Sequence, residues 1–132
     1  MEKILKFLSE NPTFYFATVE GNKPKVRPFG FFMEHEGRLY FGMGDHKFCY
    51  KQVQANKNVE ISTANAQGQW IRISGTAVFD DREDTLKKAF KTMPSLTQIY
   101  NEQTGLHLAL FYLDNIQAEI ADIKGNFEKI AF

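Results

Sequence analysis

The spacing of apolar residues changes several times along the chain. In EKILKFLS, residues 2–9, Ile4, Leu5 and Leu8 fall at i, i+1 and i+4, with Glu2, Lys3 and Lys6 elsewhere on the wheel. That spacing predicts a short amphipathic helix. After the break at NPT, FYFATVE is rich in aromatic and β-branched residues and predicts a strand ending in the turn GNKP. PKVRPFGFF predicts a second strand that runs on to Met33, and EHEG then turns the chain into RLYFGM, its expected antiparallel neighbour. GDHKFCYKQVQANKN predicts a helix with Asp45 as its N-cap, ending near Asn56 and Asn58.

VEISTA and WIRISGTAVF follow as strands four and five. Along the fifth, Ile71, Ile73, Ala77 and Phe79 share one face while Arg72, Ser74 and Thr76 share the other. DDREDTLKKAFKTMP predicts a helix: acidic residues lead it, Leu86, Ala89, Phe90 and Met93 form its stripe, and Pro94 stops it. SLTQIY adds a further helical turn. LHLALFYL, IQAEIADI and FEKIAF then predict three closing strands, with DN and KGN as hairpin turns. A run of short strands with one helix after the third and another after the fifth argues for an α+β barrel or half-open antiparallel sheet. Strands and helices do not alternate regularly, which disfavours a parallel doubly wound sheet.

Size and composition narrow the picture. At 132 residues the chain fits a single domain, residues 1–132, able to bury a core without disulfides or structural metal. Thirteen phenylalanines and five tyrosines within a 43% hydrophobic composition exclude a disordered chain. Sixteen basic and sixteen acidic residues cancel, which removes the long-range field of a nonspecific nucleic-acid binder. The single cysteine, Cys49, excludes an internal disulfide; with no secretory segment read at the N-terminus, the expected location is cytoplasmic. No apolar run approaches the roughly 20 residues of a membrane helix.

The candidate chemistry begins in the second strand. Arg27 is a cation among aromatic residues, Pro28 removes a backbone donor, and Gly30 removes a side chain where a ligand would come close. A salt bridge from Arg27 to Glu34 or Glu36 is the structural alternative. Lys47 and Lys51 stand four apart near the expected start of a helix, where the macrodipole disfavours cations unless an anion is bound between them. Solvated surface lysines are the alternative there. Trp70 reads equally as a core or interface anchor, and Arg72 as a paired surface cation. Cys49 reads as a small buried apolar residue rather than a nucleophile. His35, His46 and His107 are scattered, without metal-ligand spacing; His46, beside Lys47, is the one histidine placed to donate to an anion.

The order of these features, RPFGF followed by a hairpin, a turn and a K-x-x-x-K-Q helix, and then WIRISGTAVF, resembles the FMN-binding split-barrel family related to pyridoxamine 5′-phosphate oxidase. Within it, the small single-domain members near the nitroimidazole resistance proteins are the most similar. The resemblance implies a six-stranded Greek-key split barrel with flanking helices, homodimeric, holding two FMN molecules in clefts between subunits. It further implies that Arg27, Pro28, Phe29 and Gly30 line the flavin and that Phe41, Gly42 and Met43 contact its ring system. Lys47 and Lys51 would face the phosphate, and Trp70 and Arg72 would lie near the cofactor. Arg27 would neutralise phosphate, and Gly30 would admit the isoalloxazine to the backbone. The oxidase's C-terminal substrate-binding extension has no counterpart after NFEKIAF, so vitamin B6 oxidation is not expected. GDHKFCYKQ lacks the serine or threonine that many relatives place before the first lysine, which implies one hydroxyl contact fewer to phosphate.

The expected function is therefore FMN-dependent oxidoreduction of a small molecule, with a nitro-aromatic acceptor as the resemblance-based choice. Such a protein needs neither a nucleophile nor a metal of its own, because the flavin carries the hydride chemistry. A noncatalytic flavin- or haem-binding protein on the same barrel is the alternative, with His46 or His107 as axial ligand for haem. A single-stranded nucleic-acid binder using strand aromatics ranks below both, given the zero net charge.

Overall fold

The computed structural model describes residues 1–131. Eight strands and four helices follow in the order α1 (Glu2–Glu10), β1 (Phe14–Glu20), β2 (Lys23–Phe29), β3 (Phe32–His35), β4 (Arg38–Gly44), α2 (Phe48–Ala55), β5 (Asn58–Ala64), β6 (Gln69–Asp80), α3 (Glu83–Thr92), α4 (Leu96–Ile99), β7 (Leu108–Asp122) and β8 (Phe127–Ile130). The strands form one antiparallel sheet in the order β2-β1-β5-β6-β7-β4-β3, with β8 added on β7. This is the expected α+β class. The sheet has eight strands and is open: among the described residues no ladder joins β2 to β3.

Alternation explains the core. Phe14, Phe16 and Thr18 of β1 are buried and Tyr15 is exposed, as a strand with one face inward requires. Ile61, Ile71, Ile73, Phe41 and Phe111 meet them from the other strands, and Ile4, Phe7 and Leu8 of α1 cover this cluster. Phe14 touches Phe29, Phe32 and Phe41 at ring-centroid distances of 6.3, 6.4 and 5.5 Å. One β1 residue thus meets the end of β2 and the first residues of the opposite edge, so the sheet curls around it. A second cluster joins Phe31, Met33, Tyr40 and Leu110 to Ala89 and Leu96 of α3 and α4, which buries β4 on both faces.

Three expectations are corrected. The second strand does not run on to Met33: Gly30 and Phe31 interrupt it, and Phe32 onward pairs with β4 rather than β1. Glu36 and Gly37, at φ 53° and 74°, make the tight turn of that hairpin, because both central positions of such a turn need left-handed backbone. Asp45 does not cap α2; the helix starts at Phe48 with Lys47 at the cap position. The chain from Gly44 first makes a turn closed by the Lys47 amide to the Gly44 carbonyl at 3.1 Å, and the Asp45 amide is spent on the His107 carbonyl at 3.0 Å.

The third correction concerns Asp114 and Asn115, which form a bulge within β7 rather than a hairpin. β6 is twelve residues long and pairs with both halves of β7, with a register shift opposite Ser74–Thr76. Asn115, at φ 51°, takes up the extra residue, as bulges require.

Candidate functional site

Where β2 breaks at Gly30, the sheet opens beside the ends of β2 and β4 and the start of α2. Two cavities meet there and share Arg27, Lys47 and Cys49. The first, about 360 Å³, is lined by Pro28, Phe29, Gly30 and Phe31 on one side and Gly42, Met43 and Gly44 on the other, with Met93, Leu96 and Tyr100 closing it. The second, about 550 Å³, adds Glu20, Lys25, Phe48 and Gln52. One cleft is largely apolar; the other carries charge.

Arg27 stands at their junction on a polar network that penetrates the core. Its Nη1 donates to the Phe16 carbonyl at 3.2 Å and to Thr18 Oγ1 at 2.8 Å, and its Nη2 donates to Gln52 Oε1 at 2.7 Å. Thr18, which is buried, donates in turn to Gln52 Oε1 at 2.6 Å, and Gln52 Nε2 donates to Glu20 at 3.2 Å. Every Arg27 acceptor is neutral. Among the described residues two of its five N–H groups stay free, since the guanidinium has five donors and these bonds use three.

The positive charge here is uncompensated. Among the described residues Lys25, Arg27 and Lys47 form no salt bridge, and Glu20 is the one carboxylate among the lining residues. α2 begins between these cations with no side-chain cap, so its first amide groups add donors on the same side. An anion placed there meets charge-assisted hydrogen bonds from several directions. Cys49 is buried with its Sγ 3.6 Å from Met43 Sδ; burial pushes its thiol pKa up, opposed by Arg27 and Lys47. It behaves as a packed thiol.

Of the residues singled out from sequence, Arg27, Pro28, Phe29, Gly30, Gly42, Met43 and Lys47 come together around the two cavities. Phe41 lies behind them, fully buried in the main core. His46 is exposed and packs on Gly44, where an added Cβ would stand 2.7 Å from its Nδ1. Lys51 is exposed one turn along α2 and lines neither cavity. Trp70 and Arg72 lie on β6, away from this cleft; Arg72 stands between Glu60 at 3.6 Å and Glu119 at 3.8 Å. Glu34 and Glu36 do not pair with Arg27, and Glu36 is held by Arg82 instead.

Gln52, Lys25, Phe48 and Tyr100, which line the cleft, and Thr18, buried beneath it, were passed over by the sequence reading. Two of them carried a signal. Thr18 continues the inward set Phe14, Phe16, and Gln52 sits with Cys49 and Val53 on the buried side of α2. A polar residue on an apolar stripe needs a buried partner, and these two find each other and Arg27.

The sequence profile of the pyridoxamine 5′-phosphate oxidase family matches residues 1–120. No curated protein matches the chain. A NimC/NimA family protein from Clostridium acetobutylicum superposes with a TM-score of 0.91 at 40% identity, over 100% of this chain and 92% of that one. A pyridoxamine 5′-phosphate oxidase-related, FMN-binding protein from Nostoc punctiforme PCC 73102 gives 0.65 at 16% identity, over 99% and 96% of the two chains. An FAD-binding protein from Mesorhizobium loti gives 0.63 at 14% identity, over 92% and 94%. These last two are likenesses of fold.

Proposed function

Because the chain belongs to the pyridoxamine 5′-phosphate oxidase family, we propose that it is a flavin-dependent oxidoreductase that binds FMN and acts on a small molecule. The observation that carries this reading is Arg27: a guanidinium fixed by neutral acceptors at the meeting of an apolar and a cationic cavity, with no carboxylate paired to it among the described residues. A flavin mononucleotide has the same division, a flat apolar ring and a dianionic phosphate. The likeness to an FMN-binding protein supports the choice of cofactor.

The residues present fit the group. A Cβ built at Gly30 meets no atom within 4 Å, so the strand end leaves open space beside its backbone where a planar ring has room to lie. Arg27 and Lys47 would hold the phosphate, with the free first amides of α2. Pro28 to Phe31, Gly42 and Met43 would line the ring and exclude water from it. When bound, FMN supplies hydride and single-electron transfer. The chain's own part is to bind, orient and shield.

The finer proposals follow from the family. The core is a six-stranded Greek-key split barrel within the eight strands, and the active species is a cytoplasmic homodimer with a cofactor in each of two clefts between subunits. Tyr15 and Val26, exposed on the outer face of β1 and β2, support an interface there. A nitro-aromatic compound is the proposed electron acceptor. No described helix is long and apolar enough to cross a membrane. The haem alternative gains nothing from the geometry, since neither His46 nor His107 lines the Arg27 cavities.

The test is an absorbance spectrum of the purified protein, followed by release and mass analysis of any coloured ligand. Paired bands of oxidised flavin and the mass of FMN are the expected result. A colourless protein that also fails to quench the fluorescence of added FMN overturns the reading. A monomer by light scattering at micromolar concentration would overturn the dimer alone.

A further inference from the structure

The β3–β4 hairpin turn lies at the far end of both strands from the Gly30 cleft, where it meets the start of α3. His35 and Glu36 are neighbours at this turn, and DDRED, residues 80–84, sets four carboxylates around one arginine on the other side. Arg82 is taken up by Asp80 and Glu36. Lys87 pairs with Glu83 at 3.6 Å, and Arg38 lies over the Tyr112 ring at 4.3 Å. Asp84, in the first turn of α3, enters no salt bridge among the described residues. The junction keeps a surplus of negative charge.

His35 is the unexplained group there. Its ring meets Tyr40 edge to face at a centroid distance of 5.7 Å, which fixes the plane of the imidazole. Its Nε2 is shut off from solvent and has no hydrogen-bond partner among the described residues, although buried polar atoms are nearly always paired. Glu36 Oε1 stands 3.9 Å from it, too far for a hydrogen bond. One ligating atom from each of His35, Glu36 and Asp84 lies within 4.8 Å of the others. An imidazole nitrogen and two carboxylate oxygens so grouped are the donor set of a divalent transition metal, whereas magnesium and calcium take oxygen alone. Donors around a four-coordinate zinc stand roughly 3.3 Å apart, so the two carboxylates, both exposed, need to close in by on the order of an ångström.

We propose that His35, Glu36 and Asp84 form a site for one divalent transition-metal ion, best matched by zinc, with water in the remaining position on the exposed side. The ion takes the Nε2 lone pair that no other group uses. Arg82 keeps its bond to Glu36 and orients that ligand, as outer hydrogen bonds to ligating carboxylates do. The bound ion clips the hairpin to the first turn of α3 and so adds to stability. This site is independent of the flavin reading.

The experiment treats the purified protein with EDTA, removes the chelator, and titrates Zn²⁺, Mg²⁺ and Ca²⁺ by calorimetry, with thermal melts alongside. One zinc per chain is expected, bound at least tenfold more tightly than magnesium or calcium, with a higher melting temperature in zinc. His35→Gln and Asp84→Asn should each weaken zinc at least tenfold, since loss of even an outer partner of a ligand costs about that much, and should cancel the thermal shift. Asp84 is exposed, so its variant keeps the test sound if His35→Gln, which disturbs the packing on Tyr40, fails to fold. A His46→Gln, His107→Gln double variant removes the other two histidines and should leave zinc affinity within about twofold.

Zinc binding that survives both His35→Gln and Asp84→Asn would overturn the proposal, as would zinc binding lost with His46 and His107. Equal affinity for zinc, magnesium and calcium would reduce the site to an acidic surface and overturn it too, and so would no zinc binding at all. None of these outcomes bears on the flavin, which the absorbance spectrum tests separately.

Discussion

Arg82 and Arg27 each brace three segments of the chain, yet one is neutralised and the other is not. Arg82 donates to Asp80 through Nε at 3.0 Å and Nη2 at 2.9 Å, and to Glu36 through Nη2 at 2.5 Å. It ties the β3–β4 hairpin and the end of β6 to the start of α3. The Arg82 hydrogen bonds hold the Asp80 and Glu36 carboxyls below their ordinary range, and the guanidinium is pushed up by the same bonds. Arg27 also joins three elements, β2, β1 and α2, but through a carbonyl, a hydroxyl and an amide. A guanidinium between two carboxylates has spent its charge on the fold. One held by neutral acceptors at an open cleft keeps its charge for a ligand.

The sharpest way to break that contrast is to remove each arginine in turn. Arg27→Ala should weaken FMN by roughly 100-fold through loss of two charge-assisted hydrogen bonds, and should barely change riboflavin, which has no phosphate. Thr18 and Gln52 keep their mutual bond at 2.6 Å, so the melting temperature should move little. Arg82→Ala should do the reverse, lowering the melting temperature and leaving flavin affinity alone. Equal losses of FMN and riboflavin in Arg27→Ala would remove the phosphate assignment.

Next in size is the stability carried by Asp80. Its Oδ2 accepts from Tyr40 at 2.6 Å and from Thr85 at 2.9 Å as well as from Arg82, and Tyr40 is fully buried. Asp80→Ala leaves that hydroxyl without its acceptor, at a cost of ~2 kcal/mol, measurable by urea unfolding. No comparable loss is expected for Glu20→Ala at the other network, because Gln52 Oε1 still serves both Thr18 and Arg27. Similar losses at the two sites would erase the distinction between a structural and a ligand-facing network.

A smaller effect separates the two regions by pH. The Asp80 pKa is lower in the folded chain than its ordinary value of 3.8, so the folded state favours the ionised form. The stability from Asp80 is therefore complete above about pH 5 and is lost as the pH falls below its ordinary value toward the folded one. Asp80→Asn should flatten the acid side of the stability profile below about pH 4, measured by thermal melts. Replacing Arg27, whose acceptors are all neutral, should leave that profile unchanged.

Much of this was legible in the sequence, for physical reasons that differ by region. β1, β5 and β6 follow simple alternation, so their inward residues could be read directly, and RPFG announced an opening because arginine, proline and glycine each fit poorly in a strand that merely fills a core. The break at Gly30–Phe31 was not legible. PKVRPFGFF is apolar throughout its second half, so nothing in its composition marks where the hairpin with β1 ends and the hairpin with β4 begins. Asp114–Asn115 has the composition of a hairpin turn; only the twelve-residue length of β6 makes it a bulge. Arg82 was passed over since DDRED reads as a helix start, while its partner Glu36 is 46 residues away. Thr18 and Gln52, polar residues on apolar stripes, were the overlooked sign of the network beneath Arg27.

The smallest expected effect on stability is the most specific to the cleft. Gly30 is exposed, has no left-handed backbone requirement, and a Cβ placed there meets no atom within 4 Å. Gly30→Ala should therefore change stability by no more than about 0.5 kcal/mol, as for ordinary surface positions. At Gly42 an added Cβ would stand 3.0 Å from Leu108 and from Leu110, so a stability change there would report protein packing and not the ligand. If the space beside Gly30 belongs to a flavin ring, Gly30→Ala should weaken FMN and riboflavin to the same degree, because the methyl group meets the part they share. That pattern is the complement of Arg27→Ala, which distinguishes the two ligands. Unchanged affinity for both in Gly30→Ala would move the ring away from this strand end and leave Arg27 as an anion site without its apolar partner.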